Sequence, residues 1–226
     1  MDANAKKLQE MRVALTVKAL KANNMEAVYL PTKTEVIPMV RSLMAKGSSC
    51  AVGGSTTLFE CDIFSLLRNG DYKFYDRYEK GLTKEQIREI YLASFDVDTY
   101  LSSANAITEH GELYNVDNTG NRVSALSYGP RQVIVIAGAN KIVPDLASAV
   151  VRVKEYAAPG NAIRLDRETF CLHHGRCLNP VCDSRSLMAV PAGSCQETLC
   201  STTLILSRQR EKGRIKVLIV GEPLGY

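Results

Sequence analysis

Three stretches of the chain hold residues whose types and spacing suit chemistry. The first is GGSTT, residues 53–57, which follows the apolar Cys50-Ala51-Val52 and leads into the helix-like run 58–63. Gly53 and Gly54 let a backbone turn tightly after a strand and present successive N–H groups at a helix start, where an anion is favoured. Ser55 and Thr56 add hydroxyl donors. The same hydroxyls equally suit the role of helix caps, which needs no ligand, so local sequence leaves cradle and cap both open.

The second stretch, 102–122, gathers Asn105, Thr108, Glu109, Asn115, Asp117, Asn118, Thr119, Asn121 and Arg122 around three turns. Glu109 or Asp117 has the chemistry of an acid, base or nucleophile, and Arg122 has a fork that fits a carboxylate or phosphate. Thr119-Gly120-Asn121-Arg122 has the look of a second anion-binding turn. Asn and Asp in turns also bond their own backbone, which accounts for part of this density without a ligand.

The third stretch crowds five of the seven cysteines between residues 171 and 200. Cys171, Cys177 and Cys182 are separated by five and four residues, and Cys195 and Cys200 lie further on. Soft ligands so close together suit an iron-sulfur cluster or zinc, with His173 and His174 as additional candidates. No C-x-x-C occurs, so neither a ferredoxin run nor a zinc ribbon is matched, and reduced thiols in an irregular excursion account for the segment equally well.

Other chemistries are removed by absence. There is no G-x-G-x-x-G, no G-x-x-x-x-G-K-[ST], no G-x-S-x-G and no H-E-x-x-H, so the common nucleotide cradles, hydrolase elbows and zinc-protease motifs do not apply. A net charge of +4, spread over 28 basic and 24 acidic residues, forms no stripe able to follow a nucleic-acid backbone. No apolar run reaches the roughly 18 residues a membrane span needs, and 1–7 lead into no signal-like core. A cytoplasmic protein with free thiols is expected, with no nucleic-acid or membrane partner.

Several elements must position these residues. Apolar positions at 8, 11, 13, 14, 15, 17 and 20 recur at helical steps and predict a leading helix over about 3–23 with one buried face. Strands are expected at 27–30, 49–52, 95–101, 201–206 and 215–220, with a hairpin over 107–116 turning at His110-Gly111. Thr32 with Glu35 and Thr83 with Gln86 form capping boxes for helices running to about 46 and 93, and a further helix follows GGSTT to about 67. Another helix is expected over 144–156. The run QVIVIA, 132–137, is the clearest buried strand and suits a central parallel position. Strands alternating with helices predict an α/β fold, a three-layer sheet covered by helices in a single domain spanning 1–226, with a Cys-rich excursion at 171–200.

Taken together, Val52-Gly53-Gly54-Ser55, the block from Ser103 to Val123, Gly129-Pro130 through Val143, and Ala157-Ala158-Pro159 with Asn161-Ala162 resemble the LUD (lactate utilization) domain family, as does the C-terminal GEPLGY. The resemblance implies a fold similar to that of the ribose-phosphate isomerase, glucosamine-phosphate deaminase and coenzyme A transferase group. In that group anionic substrates lie at Gly-rich turns after strands, which here are 53–57 and 119–122. The family includes one component of a multi-protein system, with iron-sulfur partners, that oxidises lactate to pyruvate. The implied ligand is thus a small anionic metabolite, bound by Gly53, Gly54, Ser55, Thr56, Asn105, Thr119, Gly120, Asn121 and Arg122. An isomerase or transferase using Glu109 or Asp117, and a non-catalytic subunit docking iron-sulfur oxidoreductases, are the alternatives. A homo-oligomer is left open. Short members resemble one another in a late C-x5-C-x2-C followed by a fourth Cys, which implies Cys171, Cys177, Cys182 and Cys200 as metal ligands, with Cys195 the rival for the fourth place. In this chain four residues, not two, precede Cys182.

Overall fold

The computed structural model describes residues 2–177, 195 and 197–226. Its centre is a parallel sheet of six strands in the order β1 (Glu26–Leu30), β10 (Ile215–Val220), β7 (Gln132–Gly138), β4 (Thr99–Ser102), β2 (Ser49–Val52) and β3 (Lys73–Tyr75). QVIVIA is indeed interior, paired in parallel with β10 on one side and β4 on the other. Its β-branched side chains supply both faces, as a strand's period of two requires. Val133, Val135 and Ala137 join one core cluster, and Ile134 and Ile136 join the other.

Helices α2 (Val36–Leu43), α3 (Thr56–Glu60) and α4 (Ile63–Leu67) cover the Ile134 face with Val36, Val40, Leu58, Ile63 and Leu66. The single helix expected after GGSTT is two short ones, because Asp62 takes a left-handed conformation (φ 54°) between them. On the Val133 face lie α1 (Ala3–Ala22) and the hairpin of β5 (Ala106–Thr108) with β6 (Leu113–Asp117). This is a three-layer α/β arrangement around the main sheet. Gly111 in the hairpin turn has φ +83°, and a Cβ there would come within 2.7 Å of the Ala19 carbonyl carbon on α1. Only glycine meets both demands.

Two expectations about these elements are corrected, and one pairing is added. The leading helix buries Val13, Thr16 and Leu20, while Leu8, Met11 and Leu15 stay exposed, since its apolar residues span more of the circumference than one packed face covers. The two late strands expected at 201–206 and 215–220 are present and enter different sheets. β9 (Thr202–Leu206) pairs antiparallel with β6 in a second sheet, order β8-β5-β6-β9 with β8 at Ile142–Val143, whereas β10 enters the main sheet. The helix expected to end near 156 continues. α7 (Leu146–Arg152) passes through a π turn, Val153–Ala157, into α8 (Ala158–Leu165). Pro159 has no N–H, and its ring would press on the carbonyl of Glu155 in a regular helix; the wider turn just before it accommodates the ring. This helix backs the second sheet through Ala149, Val150, Val153 and Ala157 against Ala106, Tyr114 and Val143. α5 (Lys84–Ala93) and α6 (Asn121–Ser127) complete the described scaffold with α9 (Phe170–His174). Among the described residues no helix is long and apolar enough to cross a membrane.

Candidate functional site

The C-terminal ends of β2, β4 and β7 open onto one cavity of about 310 Å³. Its wall takes Gly54, Ser55 and Thr56 from the turn after β2, and Ser103, Ala104 and Asn105 from the segment after β4. Lys141 comes from just beyond β7, Val116–Thr119 from the end of β6 and the turn after it, Asn121 and Arg122 from the helix that follows, and Val153, Ala157, Asn161 and Arg164 from the π turn and α8. Arg77, Tyr91, Arg167, Cys200 and Tyr226 complete the rim. Cavities at strand ends are the usual ligand sites of parallel α/β sheets. The two turns singled out in the sequence, separated by more than sixty residues, do face the same space.

Gly53 and Gly120 are not part of that wall. A Cβ on Gly53 would lie 2.8 Å from Ser102 Oγ and 3.0 Å from the Arg122 Cδ, so this glycine serves the close passage of Arg122. Gly120 has φ 85° and opens α6, its N–H donating to Asp117 Oδ2 at 3.0 Å. Ser55 precedes α3 without a side-chain capping bond, and the buried Thr56 hydroxyl has no hydrogen-bond partner. The turn is thus not explained as a cap. The helices these turns open, α3 and α6, are short, so a helix dipole adds little to either.

Arg122 departs furthest from expectation. Its side chain is buried, and all five guanidinium N–H donors are already engaged. Nη1 donates to Ser103 O (3.2 Å) and Asn115 Oδ1 (2.9 Å), Nη2 to Asn105 Oδ1 (3.0 Å) and Val116 O (2.7 Å), and Nε to Asp117 Oδ1 (3.4 Å). The fork expected to grip an anion instead ties the segment after β4 to the end of β6. Asn105 is engaged in the same way, accepting from Val116 N at 2.9 Å as well as from Arg122.

Glu109 is not at the cavity. It lies in the hairpin turn, where it forms an ion pair with Arg12 of α1. Asp117 stands at the opposite end of β6, and a five-residue strand is about 16 Å long, so the two carboxylates cannot share a substrate. The assignment of Glu109 as a catalytic group is therefore corrected to a tie between hairpin and leading helix, while Asp117 does line the cavity.

Lys141 was missed. Its side chain is 3% exposed, and Nζ donates to Thr57 Oγ1 and Ser103 Oγ, each at 3.1 Å. No carboxylate is paired with it among the described residues. Burial, and then the positive charges of Arg152 and Arg122, lower its amine from the ordinary lysine value to about 7. The signal was its place in Ala139-Asn140-Lys141, directly after the clearest strand, where a strand-end ligand would lie. The C-terminal segment closes this corner. Leu224 N donates to Asn140 Oδ1 at 3.1 Å, Asn140 Nδ2 to Gly225 O at 3.3 Å and Gly225 N to Glu60 Oε2 at 2.7 Å. Arg77 reaches the rim held between the rings of Tyr78 (5.1 Å) and Tyr91 (4.9 Å), a cation–π sandwich.

A family model described as the LUD domain matches residues 13–220. The chain belongs to the LUD-domain family. Among solved structures it is similar to the crystal structure of a DUF162 family protein from Deinococcus radiodurans, with a TM-score of 0.50 and 12% identity over 94% of this chain and 98% of that one. That likeness supports the fold. No curated protein matches the chain.

The LUD-domain cysteines do not gather as a metal site among the described residues, where no three His, Cys, Asp or Glu side chains are placed to hold an ion. Cys171 and Cys177 share a hydrogen bond, and the Cys177 thiol together with burial pushes the Cys171 thiol up. Cys200 packs against α7 and α8 and reaches the cavity wall. His173 is exposed and bonded to Glu168 at 2.9 Å. Cys182 lies outside the described residues.

Proposed function

We propose that this LUD-domain protein binds a small anionic metabolite, an organic-acid or phosphate anion, in the strand-end cavity, in the organic-acid (lactate) utilization setting that its family implies. One observation carries this reading: the charge on the cavity wall is one-sided. Arg77, Arg164 and Arg167 face the cavity beside Lys141, and against these arginines stands Asp117, which is already held by Gly120 N and Arg122. Arg164 is held by the neutral Asn161 Oδ1, at 2.7 Å from Nη2, so its charge is oriented without being cancelled. An anion entering this space meets Arg77, set against the rings of Tyr78 and Tyr91, and Arg164, oriented by Asn161, with the exposed Arg167 beside them, so part of the ordering cost has been met in folding.

Isothermal titration with lactate, pyruvate, sugar phosphates and coenzyme A esters tests the proposal. Binding of at least one, weakened by added salt and weakened about tenfold or more in Arg167→Gln or Lys141→Met, is the expected result. Failure of all of them to bind would sink it.

A further inference from the structure

The anion-site reading, on which this inference rests, does not explain the surroundings of Lys141. A lysine used only as a counter-charge is best kept protonated, close to a carboxylate or to water. Lys141 has no such carboxylate and little exposure: two hydroxyls hold Nζ, the side chain is 3% exposed, and it forms no ion pair among the described residues. The charges around it come from several elements. Arg152 on α7 is fixed by the carbonyls of Asn140 (3.2 Å) and Asn105 (2.6 Å), and Arg122 by its five acceptors. On the other side stand Glu60, which accepts from Gly225 N, and Cys61, a thiol that burial pushes up to about 11. Burial and two hydrogen-bonded guanidiniums disfavour the ammonium form, and an uncharged amine carries a nucleophilic lone pair.

We infer that Lys141 is a carbonyl-capturing nucleophile, forming an imine with an anionic carbonyl compound, either a 2-oxo acid or an open-chain sugar phosphate. The Nζ lone pair adds to the carbonyl carbon, the C=O pair moves onto oxygen, and that oxygen takes up a proton. Nitrogen then gives up a proton and expels the hydroxyl as water, leaving the protonated imine. Nothing is oxidised or reduced, and hydrolysis reverses the step. Ser103, which lines the cavity and lies 3.1 Å from Nζ, is the hydroxyl placed to pass the proton to the departing oxygen. The cations of the rim meet the carboxylate or phosphate of the same molecule, which explains why a nucleophile and several arginines share one small space.

The test incubates the full chain with pyruvate in one arm and ribose 5-phosphate in the other, adds cyanoborohydride to reduce any imine, and maps the adduct by peptide mass spectrometry. Calorimetry with the same probes runs in parallel. One probe is expected to leave a reduced adduct on Lys141, absent from Lys141→Arg and Lys141→Met, with both variants folded by circular dichroism. Trapping should quicken as pH rises through about 7, the value to which burial lowers the amine. Ser103→Ala should slow it about tenfold or more. Binding without an adduct, or adducts spread over exposed lysines and unchanged in the Lys141 variants, overturns the imine and leaves the anion site standing. Absence of binding by both probes and by the other anions overturns the two together.

Discussion

Arg122 and Lys141 both place a buried cation at the same strand ends, yet the protein equips them in opposite ways. Around Arg122 it supplies an acceptor for every donor: two backbone carbonyls, two asparagine oxygens and the Asp117 carboxylate. Around Lys141 it supplies two hydroxyls and no carboxylate among the described residues, with Arg152 and Arg122 raising the cost of a second charge. A satisfied buried cation rigidifies its surroundings, while an undersatisfied one retains capacity for a ligand. The contrast separates framework from chemistry within a few ångströms.

The strongest way to break this comparison is to remove Arg122. Arg122→Met orphans five acceptors at once and is expected to cost roughly 3–5 kcal/mol of stability, lowering the thermal midpoint by many degrees. Arg122→Lys should recover little, because one ammonium cannot reach acceptors arranged for a planar fork. Thermal and urea unfolding measure both. A loss below about 1 kcal/mol in Arg122→Met would mean that the network is decoration.

Lys141→Met probes the other side. The folded amine titrates near 7 against 10.5 for an ordinary lysine. Between those values the unfolded chain holds a proton that the folded chain has lost, so wild-type stability rises with pH across that window. Below about 7 both states are protonated and the full cost of the buried charge is borne by the fold. Lys141→Met therefore equals or exceeds the wild type at pH 6, and its advantage shrinks toward pH 10 by an amount on the order of a few kcal/mol. Urea unfolding at several pH values reads this directly. An advantage that is flat with pH would restore Lys141 to the same class as Arg122.

How much of this was legible follows from which residues carry local signals. β7 announced itself because five consecutive apolar residues, four of them β-branched, have no better place than the middle of a parallel sheet. The α1 periodicity was legible as a helix but not as a face, because apolar residues at 8, 11 and 15 form a second stripe that sequence cannot distinguish from the first. The 102–122 stretch reads as a polar constellation beside a strand end, which is where the cavity lies, yet Arg122 was assigned the ligand's side of it; nothing local says that its acceptors include Asn105 and Asn115. The hairpin itself already separated Glu109 from Asp117, since a turn and the far end of its second strand cannot meet. Lys141 lies within the 129–143 block, but no spacing to another polar residue marks it as chemical. Its meaning comes from burial, which packing by α3, the segment after β4 and the C-terminal residues creates together.

The two glycines of GGSTT offer the smallest and sharpest test, because they are neighbours on opposite sides of the same division. A Cβ on Gly53 would meet Ser102 Oγ at 2.8 Å and the Arg122 Cγ and Cδ at 3.0 Å, all held within the framework. Gly53→Ala must displace the arginine or the turn, so a loss of roughly 1–3 kcal/mol is expected. A Cβ on Gly54 would meet Tyr78 Oη at 3.5 Å and the Arg77 nitrogens at 3.9 Å, ordinary contact distances on the cavity side. Gly54→Ala should leave stability within about 0.5 kcal/mol while crowding the cavity wall beside Arg77, and so weaken anion binding a few-fold. Unfolding midpoints and calorimetric affinities measured on the pair decide it. If stability falls equally in both variants, the turn belongs wholly to the framework; if only Gly53→Ala unfolds early and only Gly54→Ala binds poorly, the boundary between framework and chemistry runs between two adjacent residues.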